Sequence, residues 1–209
     1  MSIKTLGSST HTDAARQVND FYATAAEDFV CFLDALKRDN IRLSKRVWEC
    51  AAGQKHLSSV LEERGHFVLS SDLVVRSAGV LQHDFISPLF MSPEIRSHLD
   101  HPKRWNGTIL TNPPFSFASE FIEQGLNRLH GGSMLILLLP TRYLEGVQRY
   151  RDIYSNRPPK YIYQYTYRIA IGKNGVFGDS NAVSYCWLIW EKDFEGETLF
   201  RWIDKGDNK

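Results

Sequence analysis

The chain holds only three cysteines, Cys31, Cys50 and Cys186, and their spacing supplies neither a disulfide framework nor a zinc-ligand pattern. No charged-then-apolar leader opens it. Its longest strongly apolar run, Met134 to Pro140, is far short of the roughly 20 residues that cross a bilayer. These absences point to a reducing, cytoplasmic setting with no membrane segment and no metal site. An excess of charge of one sign is missing too. The 25 basic and 24 acidic side chains leave a formal charge of +1, so no whole-molecule field holds a polyanion and any nucleic-acid contact must come from local patches. Internal repeats and linker-like stretches are also lacking. With 43% hydrophobic and 12% aromatic residues in 209, the composition fits one globular domain with a sizeable core.

Residues 1–19 are polar, Ser/Thr-rich and without periodicity, which predicts a poorly ordered segment before a domain spanning 20–209. Ala25, Phe29, Phe32, Leu33 and Leu36 then recur at helical spacing, with Thr24 as the expected N-cap. Strand and helix patterns alternate from there: Arg46 to Cys50, His56 to Arg64, Phe67 to Leu69, Val80 to Phe85, Thr108 to Thr111, Phe117 to Leu129 and Ser133 to Leu139. That order demands crossover connections, hence a Rossmann-like, mostly parallel α/β sheet with helices on both faces. Two aromatic, β-branched runs, Tyr161 to Ile171 and Ala182 to Glu191, predict an antiparallel hairpin at the C-terminal edge.

Open α/β sheets bind ligands beyond the carboxyl ends of their strands, so residues just after each strand are the candidates. After the first stands Glu49-Cys50-Ala51-Ala52-Gly53-Gln54-Lys55, where small residues such as Ala51 and Gly53 let backbone approach a ligand. The Gly-x-Gly-x-x-Gly fingerprint of dinucleotide binders is absent, which argues against NAD. Asp72 ends the second strand, where a carboxylate accepts hydrogen bonds from ribose hydroxyls. Asp84 and Phe85 end the next, an acceptor for an adenine amino group and a ring to pack on the purine. Lys55 carries a side chain, so strain of order 1 kcal/mol is expected there if the turn requires a positive φ.

The most specific feature is Asn112-Pro113-Pro114-Phe115, directly after the strand Thr108 to Thr111. Average residue usage gives such a tetrapeptide on the order of two chance occurrences per thousand chains of this length. Two prolines fix the turn and remove two backbone donors while leaving carbonyls to accept. If the Asn112 side-chain carbonyl and the Pro113 carbonyl each accept an N–H of a planar amine, the nitrogen is drawn towards tetrahedral geometry. Its lone pair then points at the sulfonium methyl of S-adenosylmethionine, and alignment supplies most of the catalysis. Phe115 is placed to stack on a base flipped out of its duplex.

These residues together resemble the N6-adenine DNA methyltransferases, in particular the compact forms common in phages, over residues 20–203. The resemblance implies that Tyr22, Ala23 and Thr24 lie in an N-terminal segment closing over the methionine end of S-adenosylmethionine. It also implies that Glu49, Ala51 and Gly53 form the cofactor loop, Asp72 holds the ribose, Asp84 and Phe85 contact the adenine, and Asn112 to Phe115 are catalytic. DNA is then the expected partner. Two departures are Lys55, where many relatives have glycine, and Thr24-Ala25-Ala26 in place of Thr-Pro-Pro.

Beyond Leu139 little chain remains for a separate target-recognition domain, so loops are expected to hold the target. Arg142 and Tyr143, after the strand ending at Pro140, should share the rim with Asn112, and Phe177, with Lys173 and Asn174, is a candidate cover for the base. The basic run Lys37, Arg38, Arg42, Lys45, Arg46 is a weaker one. The tyrosines at 161, 163, 165 and 167 alternate, which predicts packing under a helix. The same tetrapeptide suits adenine in RNA or a glutamine amide of a protein, and a catalytically silent binding module remains a further alternative.

Overall fold

The computed structural model describes residues 22–87, 91–100, 104–173, 175–177 and 182–206. Residues 1–21 and Asn174 lie outside them. In chain order the elements are β1 (Tyr22–Thr24), α1 (Ala26–Arg38), β2 (Arg46–Glu49), α2 (His56–Glu63), β3 (Phe67–Asp72), β4 (Leu81–Gln82), α3 (Pro93–Ser97) and β5 (Thr108–Thr111). A tight turn, Phe115–Phe117, leads into α4 (Ala118–Arg128), then β6 (Met134–Pro140) and α5 (Val147–Arg149), which widens into a π turn over Tyr150–Tyr154. The chain continues with β7 (Tyr161–Tyr165), β8 (Ile171–Lys173), β9 (Tyr185–Glu191) and β10 (Leu199–Ile203).

Eight strands form one sheet in the order β10-β7-β9-β6-β5-β2-β3-β4. Strands β4, β3, β2, β5 and β6 run parallel, as the alternation of strand and helix predicts. Strand β9 runs antiparallel to both β6 and β7. The expected C-terminal pair therefore exists, with β9 inserted against β6, β7 outside it, and β10 adding a parallel edge. From β2 the chain moves outward to β3 and β4, then returns to the other side of β2 as β5. The reversal leaves a crevice beyond the carboxyl ends of β2 and β5, the place where such sheets bind ligands.

The residues of β6 show why the sheet is buried on both faces. Ile136 and Leu138 join the cluster under α1 and α2, while Leu135, Leu137 and Leu139 join the cluster under α4 and the π turn. On the first face Phe32 stacks on Trp187 with ring centroids 4.5 Å apart, and Tyr163 meets Phe32 edge-on. The alternating tyrosines do pack under a helix: Tyr163 and Tyr165 are buried, and the Tyr165 hydroxyl donates to the Asp28 carbonyl of α1 at 2.8 Å. On the second face Gly125 lets α4 lie flat on β6, because a Cβ there would stand 2.7 Å from Leu135 Cδ1.

Two local expectations change. Thr24 does not cap α1. Ala25 holds the N-cap position without a side-chain bond, and Thr24 lies in β1, where its hydroxyl is drawn to Asn112. The run Tyr161 to Ile171 is broken as well. Its last residue begins β8, which leaves the main sheet and pairs antiparallel with β1 in a two-stranded ribbon. Among the described residues no helix is long and apolar enough to cross a membrane, and no group of three or more His, Cys, Asp or Glu is placed to hold a metal ion.

Candidate functional site

Strand β5 is buried along its whole length and delivers Asn112 to the crevice. The Asn112 amide nitrogen donates to the Tyr22 carbonyl at 2.7 Å and to the Thr24 hydroxyl oxygen at 3.2 Å. A backbone carbonyl only accepts, so the atom facing Tyr22 must be the nitrogen, and the amide orientation follows. Both N–H groups are thus committed within the protein. The other end of the amide, Asn112 Oδ1, is buried without a hydrogen-bond partner among the described residues. An unpaired buried acceptor of this kind costs about 1–3 kcal/mol. Pro113 is buried and Pro114 exposed, and the Pro114 carbonyl accepts the Phe117 N–H at 2.9 Å, tightening the turn.

Around this amide stand three aromatic rings. Phe115 lies nearly parallel to Tyr22, with centroids 5.9 Å apart, and 5.8 Å from Tyr185. Tyr185 opens β9 opposite Pro140, and nothing in the sequence pattern singled it out, since its importance comes from register. Burial raises its phenol pKa, with Tyr22 adding to the rise and Arg142 opposing it. Arg142 is exposed at this rim, but Tyr143 is turned inward, 8% exposed, with its hydroxyl 2.9 Å from Ser119 Oγ. Phe177 is 41% exposed, edge-on to His56 at 6.0 Å at the start of α2 and close to Gly172 of β8, the strand that pairs with β1. In the basic run, Arg38 pairs with Asp39 at 3.0 Å and Arg46 with Asp100 at 2.9 Å, so both charges are engaged.

The loop after β2 is tied down differently. Ala51 N donates to Thr111 Oγ1 (3.2 Å), Ala52 N to the Ser71 carbonyl (3.0 Å) and Gly53 N to Asp72 Oδ2 (2.8 Å). Three successive amides therefore bind β5 and β3, stitching the two sides of the crevice together. The Asp72 carboxylate also accepts Val74 N at 3.0 Å and pairs with Arg76 at 3.1 Å through Oδ1. Three of its roughly four acceptor positions are taken, and one on Oδ2 remains. Glu49 is buried beneath the loop, accepting from Ser58 N at 2.8 Å and from the Ser58 hydroxyl. Burial pushes its carboxyl pKa up to about 8 against the pull of those Ser58 bonds, with Asp72 adding to the rise.

Gly53 has φ +53° and Lys55 φ +67°, so position 55 does require the left-handed conformation in which a side chain is strained. The Lys55 ammonium is carried along α2 to Glu62, 2.9 Å away. Asp84 accepts the Ile86 N–H at 3.2 Å, closing a local turn. The Phe85 ring is a core element in this structure, 2% exposed between Trp48 and Phe121 with the Arg128 guanidinium 5.1 Å from its centre. Next to them His83 is buried against Trp48 with neither ring nitrogen bonded among the described residues, and burial together with the Arg128 charge lowers its pKa to about 4. The structure thus gathers Tyr22, Thr24, Asn112, Phe115 and Tyr185 at one point, and Glu49, Ala51, Gly53 and Asp72 at the adjoining strand end. Phe85 and Tyr143 are turned into the core.

No protein-family model and no curated protein matches this chain in sequence. Its fold is shared with solved structures. A Listeria monocytogenes protein assigned to the class I S-adenosylmethionine-dependent methyltransferases is 15% identical, with a TM-score of 0.52 over 88% of this chain, which spans 65% of the Listeria protein's length. A Pyrococcus horikoshii protein assigned as an RNA methyltransferase is 13% identical, with a TM-score of 0.54 over 81% of this chain and 85% of that one. An Agrobacterium tumefaciens protein assigned as an O-methyltransferase is 15% identical, with a TM-score of 0.53 over 84% and 88%. At these identities the likeness is one of fold, and the acceptors named for the last two, RNA and an oxygen, differ.

Proposed function

We propose that the chain transfers a methyl group from S-adenosylmethionine to the N6 amino group of an adenine in DNA. The observation that carries this reading is the buried, unpaired Asn112 Oδ1 at the carboxyl end of β5, an acceptor whose amide partner atoms are already fixed. An exocyclic amine supplies the N–H it lacks. Accepting that N–H, with the Pro113 carbonyl as second acceptor, draws the amine towards tetrahedral geometry and holds its lone pair in line with the donor. Phe115 provides the stacking face for the base, and Tyr185 backs Phe115.

The residues at the neighbouring strand end fit S-adenosylmethionine in specific respects. Asp72 Oδ2 has room for one ribose hydroxyl beside Gly53 N, and Lys55 is drawn aside by Glu62, leaving the turn clear. When bound, the cofactor supplies the electrophilic sulfonium methyl. The residues of this chain orient the acceptor, shield it with the Tyr22–Phe115–Tyr185 rings, and accept one amine N–H as a hydrogen bond at Asn112 Oδ1. As the nitrogen gains the methyl the sulfonium leaves as a thioether, and the proton the nitrogen loses passes to solvent. The fold neighbours, assigned as methyltransferases, support the cofactor class without choosing the acceptor. The choice of DNA rests on the resemblance carried by the tetrapeptide, with the target held by loops such as that bearing Arg142.

Transfer of labelled methyl to unmodified DNA, RNA and protein, followed by nucleoside and amino-acid analysis, tests the proposal. Label is expected in N6-methyladenine from DNA. Label confined to RNA or to glutamine would overturn the acceptor, and no binding heat at millimolar S-adenosylmethionine would overturn the enzyme and leave a silent binding module.

A further inference from the structure

An amide offers an acceptor at one end and two donors at the other, and turning it over exchanges them with almost no change of shape. Its chemistry at a site is therefore decided by whatever holds the opposite end. Here that end is held by β1. The Tyr22 carbonyl takes one N–H and the Thr24 hydroxyl, on a residue 1% exposed, takes the other. A turned amide would set its oxygen against the Tyr22 carbonyl at 2.7 Å with no proton between them. Strand β1 cannot retreat to relieve this, because Tyr22, Ala23 and Thr24 pair with Lys173, Gly172 and Ile171. Ala25 N donates to the Ala170 carbonyl at 3.2 Å, and the Ala170 N–H donates in turn to the Asp28 carboxylate of α1 at 2.9 Å.

We propose that Thr24 is a positioning residue which, with the Tyr22 carbonyl, fixes the polarity of the Asn112 amide, so that the site admits an N–H donor and turns away a carbonyl at the same place. The substrate consequence rests on the methyltransferase reading, but the polarity of the amide does not. A purine bearing an amino group at C6 fits the fixed acceptor. Its hydrolysed counterpart, hypoxanthine, presents a carbonyl oxygen to Asn112 Oδ1 and is repelled.

The test uses the full chain labelled with 15N. The Asn112 carboxamide signals, identified by their loss in Asn112→Ala, should exchange protons with water about tenfold more slowly than an exposed amide. Thr24→Val should release one of the two protons, and Thr24→Ser should retain both. In turnover, Thr24→Val should lower kcat about tenfold with KM for S-adenosylmethionine within twofold, and Thr24→Ser should recover to within about threefold of the parent. A mixed-sequence oligonucleotide with hypoxanthine in place of adenine should compete poorly against the parent protein and better against Thr24→Val. Exchange untouched by Thr24→Val, or a rise in KM for the cofactor instead of a fall in kcat, overturns the positioning role. If exchange responds as expected but no acceptor is methylated, the proposed function falls and the polarity lock stands. If N6-methyladenine forms while exchange does not respond, the reverse holds.

Discussion

The two strand ends that face each other across the crevice are built on opposite plans. After β5, neighbouring groups satisfy the donors of Asn112 and leave its acceptor bare. After β2, the amides of Ala51, Ala52 and Gly53 are all bonded within the protein, and Asp72 spends three acceptor positions on its own chain. Among the described residues one end keeps an unpaired acceptor, and the other uses its polar groups on the chain itself. Chemistry that depends on alignment belongs at the first, because a fixed unsatisfied group costs no reorganisation when the substrate arrives. Affinity at the second has to come from spare capacity around groups that already support the loop.

The sharpest way to break this contrast is Asn112→Ala. Methyl transfer should fall about 10²- to 10³-fold while the dissociation constant for S-adenosylmethionine stays within about twofold, measured by label incorporation and calorimetry. A matching loss of cofactor affinity would mean that the two ends are not separable. Next in size is Asp72→Asn, which should raise the cofactor dissociation constant about tenfold or more and also lower the melting temperature, because Gly53 N, Val74 N and Arg76 share that carboxylate. A variant that binds normally would show that the spare Oδ2 position is not used.

The pH response separates the regions further. Glu49 under the β2 loop keeps its proton up to about pH 8 in the folded chain but loses it near 4.5 when unfolded, so stability falls as pH rises between those values. His83 stays neutral down to about pH 4 when folded but gains a proton near 6.5 when unfolded, so stability falls as pH drops from 6.5 to 4. The two cancel in the shared window, so thermal melts should show a plateau between about pH 4.5 and 6.5, a decline above it from Glu49 and a smaller one below it from His83. Glu49→Gln should flatten the alkaline side and His83→Phe the acid side. An alkaline decline that survives in Glu49→Gln would remove Glu49 as its cause.

The smallest effect is expected at Lys55. Replacing it with glycine relieves a residue held at φ +67° but gives up the partly exposed pair with Glu62, so a net gain of about 1 kcal/mol or less, a rise of a few degrees in melting temperature, is expected. Tighter cofactor binding in the same variant would show that strain in this loop also limits affinity.

What the sequence made legible follows from range. The tetrapeptide and the strand-ending acids are local features, written within a few residues, and the unbroken apolar run of β6 declared its burial on both faces. Features made by distant pairing were hidden. Thr24 looked like a helix cap because Ser, Thr, Asp and Asn favour that position, but a hydroxyl 88 positions away in sequence from Asn112 proved the better match for it. Tyr185 gains its place from the register of β9 against Pro140, and β1 and β8 are each too short to carry a recognisable alternation. Phe85 was read from its neighbourhood with Asp84, but the large rings of Trp48 and Phe121 enclose it, and an aromatic after a strand looks the same in sequence whether it faces a ligand or the core.

Strand β1 leaves the ribosome well before its partners at Asn112 and at Ile171–Lys173. Contacts of such long sequence separation close slowly, after the local helices and neighbouring strands have formed. The Asn112 amide is therefore free to turn over throughout synthesis and acquires a single orientation only when the final third of the sheet is in place. A chain interrupted before β8 would keep the tetrapeptide and much of the parallel sheet, but it would lack the ribbon that gives the tetrapeptide a direction.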